Sequence, residues 1–282
     1  MRVLLHFGFP KAMSSTLQFG LFQPLHEQGL VNLKTWRLND PAEHLDLRPS
    51  SRLFNRQDIL PHSLEFKEGM LNILSDESFT APYKLRRNNY GDDIEDPSNF
   101  PRAVKEQIEA VYGEGIEFIP LIVIRNQADL IFSQYVEEYN LKKYKNVDLL
   151  FDEAGNIDPS GFEIYRFYTY IQILENVFGA GVPRVFLFEE WRSDLSAASK
   201  AMADLLGADL EGVRQNLEGS HFNKKKKSAE GYFAKDEKTF IPNLNSEQKN
   251  EILEAFDEDN RKLQAYLGTG YDLSSLGYFG FR

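Results

Sequence analysis

Met1-Arg-Val-Leu-Leu-His-Phe-Gly-Phe-Pro-Lys-Ala-Met-Ser-Ser-Thr-Leu-Gln-Phe-Gly20 stands at the head of the chain, and its reading governs the rest. Residues 2–7 form a short apolar run with β-branched and aromatic members, the pattern of a buried strand. Gly8 and Pro10 interrupt it, because glycine admits backbone angles that other residues avoid and proline cannot continue a ladder. Lys11 follows, and Ser14, Ser15 and Thr16 precede an apolar-periodic segment through Leu17, Phe19, Leu21 and Leu25. Serine and threonine suit the amino end of a helix, where their oxygens satisfy unpaired amides. The order is therefore strand, lysine-bearing loop, hydroxyl cluster, helix.

A helix amino terminus offers free amides and a partial positive charge, which suit phosphate or sulfate. A loop lysine adds a point charge, and adjacent hydroxyls add donors. The same spacing fits equally well a capped helix beside a solvated lysine. The GxxxxGK[ST] pattern of nucleoside-triphosphate loops is absent, since no Gly-Lys pair precedes the hydroxyls. Gly8-Phe-Pro-Lys-Ala-Met-Ser-Ser-Thr-Leu-Gln18 resembles a different loop, the phosphosulfate loop of sulfotransferases that use 3′-phosphoadenosine 5′-phosphosulfate (PAPS), written G-x-P-K-x-G-T-T-x-L-Q. Met13 stands where that pattern has glycine, and a side chain there limits how closely the backbone wraps a phosphate.

Composition bounds the alternatives. With 282 residues, 42% hydrophobic and 13% aromatic, the chain is long enough for one large domain or two small ones with a packed core. A single domain over residues 1–282 is the expectation. No stretch approaches the ~20 apolar residues needed to span a bilayer, and no charged-then-apolar leader precedes the first strand, so no secretory signal is expected. The absence of cysteine excludes disulfides, thiolate metal ligands and a cysteine nucleophile, and a cytoplasmic location follows as the expectation. A formal charge of −11 argues against general nucleic-acid binding but not against an anionic nucleotide, whose binding is a local matter. The five histidines are scattered singly, and no His or carboxylate cluster has ligand spacing, so no metal is expected.

A second stretch of interest follows a loop-dominated region at 39–61, in which Arg48, Arg52 and Arg56 are read as solvated or, alternatively, as lining an acceptor pocket. Residues 64–74 have apolar positions at helical spacing, and the apolar run 70–74 leads into Ser75-Asp76-Glu77-Ser78-Phe79. Carboxylates at the carboxyl end of a parallel strand are placed where α/β folds host chemistry; a capping or turn role is the competing reading. The segment resembles the S-x-E-x-[LF] segment of many bacterial sulfotransferases, and sulfuryl transfer to a hydroxyl needs a general base. The resemblance makes Glu77 the candidate base, with Asp76 second. Lys84, Arg86 and Arg87 follow closely.

The third stretch comes after an amphipathic helix predicted at 102–112. Residues 116–124 are apolar, with the core strand expected at 121–124, and Arg125-Asn-Gln-Ala-Asp-Leu-Ile-Phe-Ser133-Gln-Tyr135 follows. This resembles the 3′-phosphate motif of sulfotransferases, R-[ND]-P-x-[DE]-x-x-x-S-x-Y. The physical sense is a charge-assisted clamp, an arginine fork plus a serine hydroxyl on one phosphate. Gln127 stands where the pattern has proline, which loosens the turn. Taken without the resemblance, an arginine after a buried strand pairs with carbonyls and a helix serine is inert.

Further on, a helix is expected at 162–177 with aromatic residues in the core, a strand at 182–188, a helix at 195–206 closed by Gly207, and a last helix at 246–267 with Ser246 at its cap. Trp191 is read as core packing, with a place near adenine as the alternative. The run Lys224-Lys-Lys-Lys227 reads as a solvated loop; set against the R-K-G-x-x-G-[DE]-W segment of sulfotransferases, Lys226 and Lys227 fall on its basic pair.

Alternating strands and helices imply an α/β fold, a parallel β-sheet flanked by helices on both faces. The resemblance implies the P-loop NTPase-like sulfotransferase fold. It also implies transfer of a sulfuryl group from PAPS, with 3′,5′-adenosine bisphosphate (PAP) as product, to a hydroxyl of a carbohydrate, lipid or small molecule. Lys11 and Glu77 would then be catalytic, and Lys11, Ser14, Ser15, Thr16, Arg125, Ser133, Lys226 and Lys227 would hold the donor. An atypical small-molecule kinase and a non-catalytic nucleotide-binding module are the alternatives. Neither acceptor nor oligomeric state is marked in the sequence.

Overall fold

Strand β1 (Arg2–His6) is the centre of a sheet because its residues Val3, Leu4 and Leu5 are apolar on both faces, and all three are fully buried. Consecutive buried residues point to opposite faces, so both faces of the sheet are covered. The computed structural model describes residues 1–35, 48–82, 93–140, 150–152, 154–219, 230–233 and 240–280. After β1 come a π-helical segment at Thr16–Phe22 running into α1 (Gln23–Glu27), β2 (Val31–Lys34), α2 (Pro49–Phe54), a 3₁₀ turn at Pro61–Leu64, β3 (Leu71–Ser75) and a 3₁₀ turn at Glu77–Thr80. Then follow α3 (Phe100–Tyr112), β4 (Glu117–Ile124), α4 (Gln127–Asn140), a 3₁₀ segment at Pro159–Tyr165, α5 (Phe167–Phe178), β5 (Arg184–Leu187), α6 (Phe188–Ser193), α7 (Leu195–Leu206) and α8 (Leu210–Glu218). A two-stranded hairpin, β6 (Gly231–Phe233) and β7 (Phe240–Pro242), and α9 (Ser246–Leu267) close the chain.

The chain divides into two compact units. The first comprises residues 1–81, 90–124 and 171–222, and the second residues 82–89, 125–170 and 223–282. The first holds a five-stranded parallel sheet in the order β2-β3-β1-β4-β5. Chain connections leave β1 and β4 in opposite directions, so the switch point that marks ligand sites in open α/β sheets lies between them. Pro120 is tolerated within β4 because β5 pairs only from Leu121 onward. At the amino edge, Asn32 donates to Asn72 Oδ1 at 2.8 Å, and the two residues are register partners. Phe54 meets Phe100 and Phe7 meets Phe79, ring centroids 4.7 and 5.4 Å apart, in the aromatic core on one side of the sheet.

In the second unit α9 packs along α4. The join is polar: Gln127 and Asn260, both fully buried, exchange amide hydrogen bonds at 2.8 and 3.1 Å. Asn260 also donates to the Tyr278 carbonyl. Asp259 accepts from the amides of Tyr168 and Thr169 and from the Thr169 hydroxyl, which caps α5.

Several expectations change in detail. The helical spacing of residues 64–74 does not make a helix: a 3₁₀ turn ends at Leu64, Gly69 takes φ +72°, and the remainder is β3. The loop region before Pro61 contains α2. The expected helix at 162–177 is two segments parted at Arg166, whose ψ of 85° is not helical. The strand at 182–188 stops at Leu187, and Phe188 begins a helix. Helix 246–267 has its predicted bounds, but the cap is Asn245, in a reciprocal capping box with Gln248.

Truncating Asn260 to alanine would strand the buried Gln127 amide. Asn260→Ala is expected to lower the unfolding free energy by about 2 kcal/mol in a urea titration, whereas a change below about 0.5 kcal/mol would show the amide pair to be idle.

Candidate functional site

The loop between β1 and the first helix is tight because Pro10 starts a turn closed by the Ala12 amide on the Phe9 carbonyl at 3.1 Å. Phe9 and Ala12 are fully buried beneath it. Two residues of this loop are left-handed, Lys11 at φ +69° and Met13 at φ +66°. Such a backbone costs an L-residue roughly 1–2 kcal/mol and is the habit of glycine. Met13 thus takes up the geometry expected of the glycine in the sulfotransferase pattern. Gly8 is required for another reason: a Cβ there would lie 2.8 Å from the His6 ring and 2.8 Å from Ser14 Oγ.

Ser14 is buried, and its hydroxyl donates to the Phe9 carbonyl at 3.1 Å, so it ties the loop down. Ser15 is itself helical and makes no side-chain cap bond, contrary to the capping expectation. Lys11, Ser15 and Thr16 are half-buried at the start of the π-helical segment. Every one of these side chains donates, none is acidic, and the first helical amides have no carbonyl within the helix.

Under the loop lies a chain that sequence patterns did not reveal. His6 Nδ1 meets Ser75 Oγ at 2.7 Å, and Gln18 Nε2 donates to the same oxygen at 3.0 Å. His6 and Ser75 are register partners on β1 and β3. The His6 Nε2 atom is buried without a hydrogen-bond partner. Burial lowers the His6 pKa from 6.5 to about 4, against the Asp76 charge, which acts to raise it. His6 is therefore a neutral imidazole at pH 7.

The turn after β3 is bound to the loop after β1, since Thr80 Oγ1 donates to the Gly8 carbonyl at 2.8 Å. This brings Lys11, Ser14, Ser15, Thr16 and Glu77 to one edge of the first unit, at the carboxyl ends of neighbouring strands. Asp76 and Glu77 differ sharply there. The Asp76 carboxylate is fully buried and accepts from the Ser50 amide at 3.0 Å, the Ser78 amide at 2.9 Å and Arg48 at 3.5 Å. It holds the turn with both oxygens engaged and is shut off from solvent, whereas Glu77 is half-exposed. Arg48 is a buried partner of Asp76, not a solvated or acceptor-binding residue, while Arg56 is exposed and pairs with Asp93 and Glu95. Trp191 is buried against Phe186.

Arg125 and Ser133 belong to the second unit, at and along the start of α4. Arg125 lies 3.9 Å from Asp129, and Lys249, from the first turn of α9, lies 3.4 Å from the other oxygen of that carboxylate. Asn126 and Asp129 close the first turn, with the Asp129 amide donating to Asn126 Oδ1 at 3.0 Å. Burial acts to raise the Asp129 pKa, but Lys249, Arg125 and Asn126 hold it below its ordinary value. Gln127 does more than loosen the turn, given its bonds to Asn260. Beside Ser133, Phe132 packs on Tyr232 of the hairpin at 5.9 Å. Lys84, Arg86, Arg87, Lys226 and Lys227 lie outside the described residues.

No protein-family model and no curated protein matches the chain. The structure is similar to the crystal structure of a sulfotransferase from Alicyclobacillus acidocaldarius, with a TM-score of 0.52 and 14% sequence identity over 97% of each chain. The chain therefore has the sulfotransferase fold.

His6 supplies a pH test. Its folded-state pKa is depressed, so its contribution to stability is whole above pH 6.5 and is lost as pH falls toward 4. A shift of this size corresponds to roughly 3 kcal/mol across that window. Thermal unfolding followed from pH 7 to pH 4.5 should fall more steeply for the wild type than for His6→Gln. Parallel curves would refute the buried neutral imidazole.

Proposed function

We propose that the protein is a sulfotransferase that moves a sulfuryl group from PAPS to an acceptor hydroxyl. The observation that carries this reading is the left-handed backbone of Met13. The loop keeps a glycine-like path at the position where the sulfotransferase pattern has glycine, although methionine is strained there. Strain of this kind persists where the surroundings enforce it, and here they do, through Ser14 on Phe9 and Thr80 on Gly8. The donor set fits a phosphosulfate, being a cation, hydroxyls and helix amides with no carboxylate among them.

PAPS supplies a sulfuryl group already activated as a mixed anhydride with phosphate. In this reading Ser15, Thr16 and the loop amides hold its 5′-phosphosulfate, with Ser14 fixing the loop, and Arg125 and Ser133 hold the 3′-phosphate. Lys226 and Lys227 keep their expected donor-binding role as part of the proposal. Glu77 takes the acceptor proton while the acceptor oxygen forms its bond to sulfur and the sulfur–oxygen bond to the 5′-phosphate breaks. Lys11 stabilises the charge that gathers on the bridging and leaving oxygens, the electrostatic contribution that usually weighs most. Asp76 plays no part in proton transfer, because its oxygens are committed to Ser50, Ser78 and Arg48. The acceptor class we propose is a small molecule, carbohydrate or lipid carrying a hydroxyl, met in the cytoplasm. No helix among the described residues is long and apolar enough to cross a membrane.

Calorimetric titration should show PAP binding the wild type at least tenfold more tightly than 5′-AMP, with the preference lost in Arg125→Ala. Equal binding of the two nucleotides, or magnesium-dependent binding of ATP in their place, would overturn the proposal. In turnover of labelled PAPS across a panel of hydroxyl acceptors, Lys11→Ala and Glu77→Gln should each lower kcat by about 10²–10³-fold without loss of fold. Wild-type rates in Glu77→Gln would remove it from the base role.

A further inference from the structure

Lysine is a poor choice for the first turn of a helix, because the helix end already carries positive charge, and the mismatch costs about as much as a matched charge gains there. Lys249 stands in the first turn of α9, three residues after Ser246. Its ammonium is not turned away toward solvent. It reaches Asp129 at 3.4 Å, on the carboxylate oxygen opposite the one that faces Arg125 at 3.9 Å. A single carboxylate is thus held between two cations delivered by segments 124 residues apart in sequence (249 minus 125). Asn126 donates to the Asp129 oxygen on the Arg125 side at 3.5 Å.

Among Arg125, Lys249 and Asp129 one positive charge is left over, within a chain of net −11. Both cations already engage one small anion through its two oxygens, the Asp129 carboxylate. Arginine and lysine are complementary in such a place, the first binding through a planar fork and the second as a point charge on a flexible stem. We propose that Lys249 is a second cationic contact for the 3′-phosphate of the donor nucleotide, with Asp129 as the carboxylate that holds Arg125 and Lys249 apart and facing the same point. This inference rests on the donor reading above and assigns that phosphate a ligand from the last helix. Lys249 is half-exposed, so its replacement should leave the fold intact.

The test is calorimetric titration of wild type, Lys249→Gln and Lys249→Arg with PAP and with 5′-AMP, after unfolding midpoints show the three proteins equally stable. Lys249→Gln should weaken PAP about tenfold and leave 5′-AMP unchanged, and Lys249→Arg should restore most of the loss. A wild type with no preference for PAP would overturn the donor reading itself. A wild type that prefers PAP, with Lys249→Gln equally discriminating, would leave that reading standing and overturn the role of Lys249. Equal weakening of both nucleotides would also overturn it, because the effect would then not reside at the 3′-phosphate.

Discussion

Parallel pairing of β1 on both of its edges is the constraint from which the rest of the first unit follows. Arg2 to His6 pair residue by residue with Leu71 to Ser75 on one side and with Glu117 to Leu121 on the other. A strand so enclosed must be apolar on both faces, and burial of each of Val3, Leu4 and Leu5 stabilises the fold by roughly 2 kcal/mol. The same pairing fixes where the chemistry emerges. Once His6 is opposite Ser75, the loop leaving β1 and the turn leaving β3 start level with each other. One hydrogen bond, Thr80 to the Gly8 carbonyl, is enough to lock them together.

The enclosure also explains the buried polar groups at that edge. His6 and Ser75 are buried, so the imidazole is neutral and bonded at Nδ1 to the Ser75 hydroxyl, which Gln18 comes across to share. Asp76 meets the same desolvation with the opposite solution. It remains an acceptor, and two amides and Arg48 satisfy its oxygens. Removing one partner of a buried ion pair costs about 3–5 kcal/mol, far more than an exposed pair is worth. Two adjacent carboxylates thus acquire unlike work. Asp76 shapes the turn, and the turn presents Glu77.

Much of this was legible from residue order alone. The strand at 2–7, the polar loop and the helix after it follow from an apolar run broken by Gly8 and Pro10, and the two motif resemblances led to a fold that the structure has. The misread segments have physical causes. Short apolar runs do not separate helix from strand by periodicity, and residues 64–74 fell on the wrong side until Gly69 turned the chain. Residues 162–177 keep helical spacing across Arg166 although the backbone breaks there. Partnerships across the sequence were out of reach for a different reason. Nothing local to Gln127 announces Asn260, 133 residues on, and nothing local to Lys249 announces Asp129, 120 residues back. His6 was hidden because a histidine inside an apolar run carries no signature of the residue it will face.

Met13 bears on whether such a loop is a working site or a relic. A relic is free to relax, and a methionine in the left-handed region gains roughly 1–2 kcal/mol by doing so. Lys11 is left-handed as well, so two residues in three resist relaxation. What resists is visible around them: Phe9 and Ala12 are buried, Ser14 is bonded to Phe9, and Gly8 sits against the His6 ring with no space for a methyl group. These contacts hold the loop in its strained path before any ligand arrives. Donors fixed in advance need not reorganise when charge develops beside them, and this is the property that electrostatic catalysis requires. In the sulfotransferase reading proposed above, the strain at Met13 is the cost of a preformed anion cradle and not damage to one.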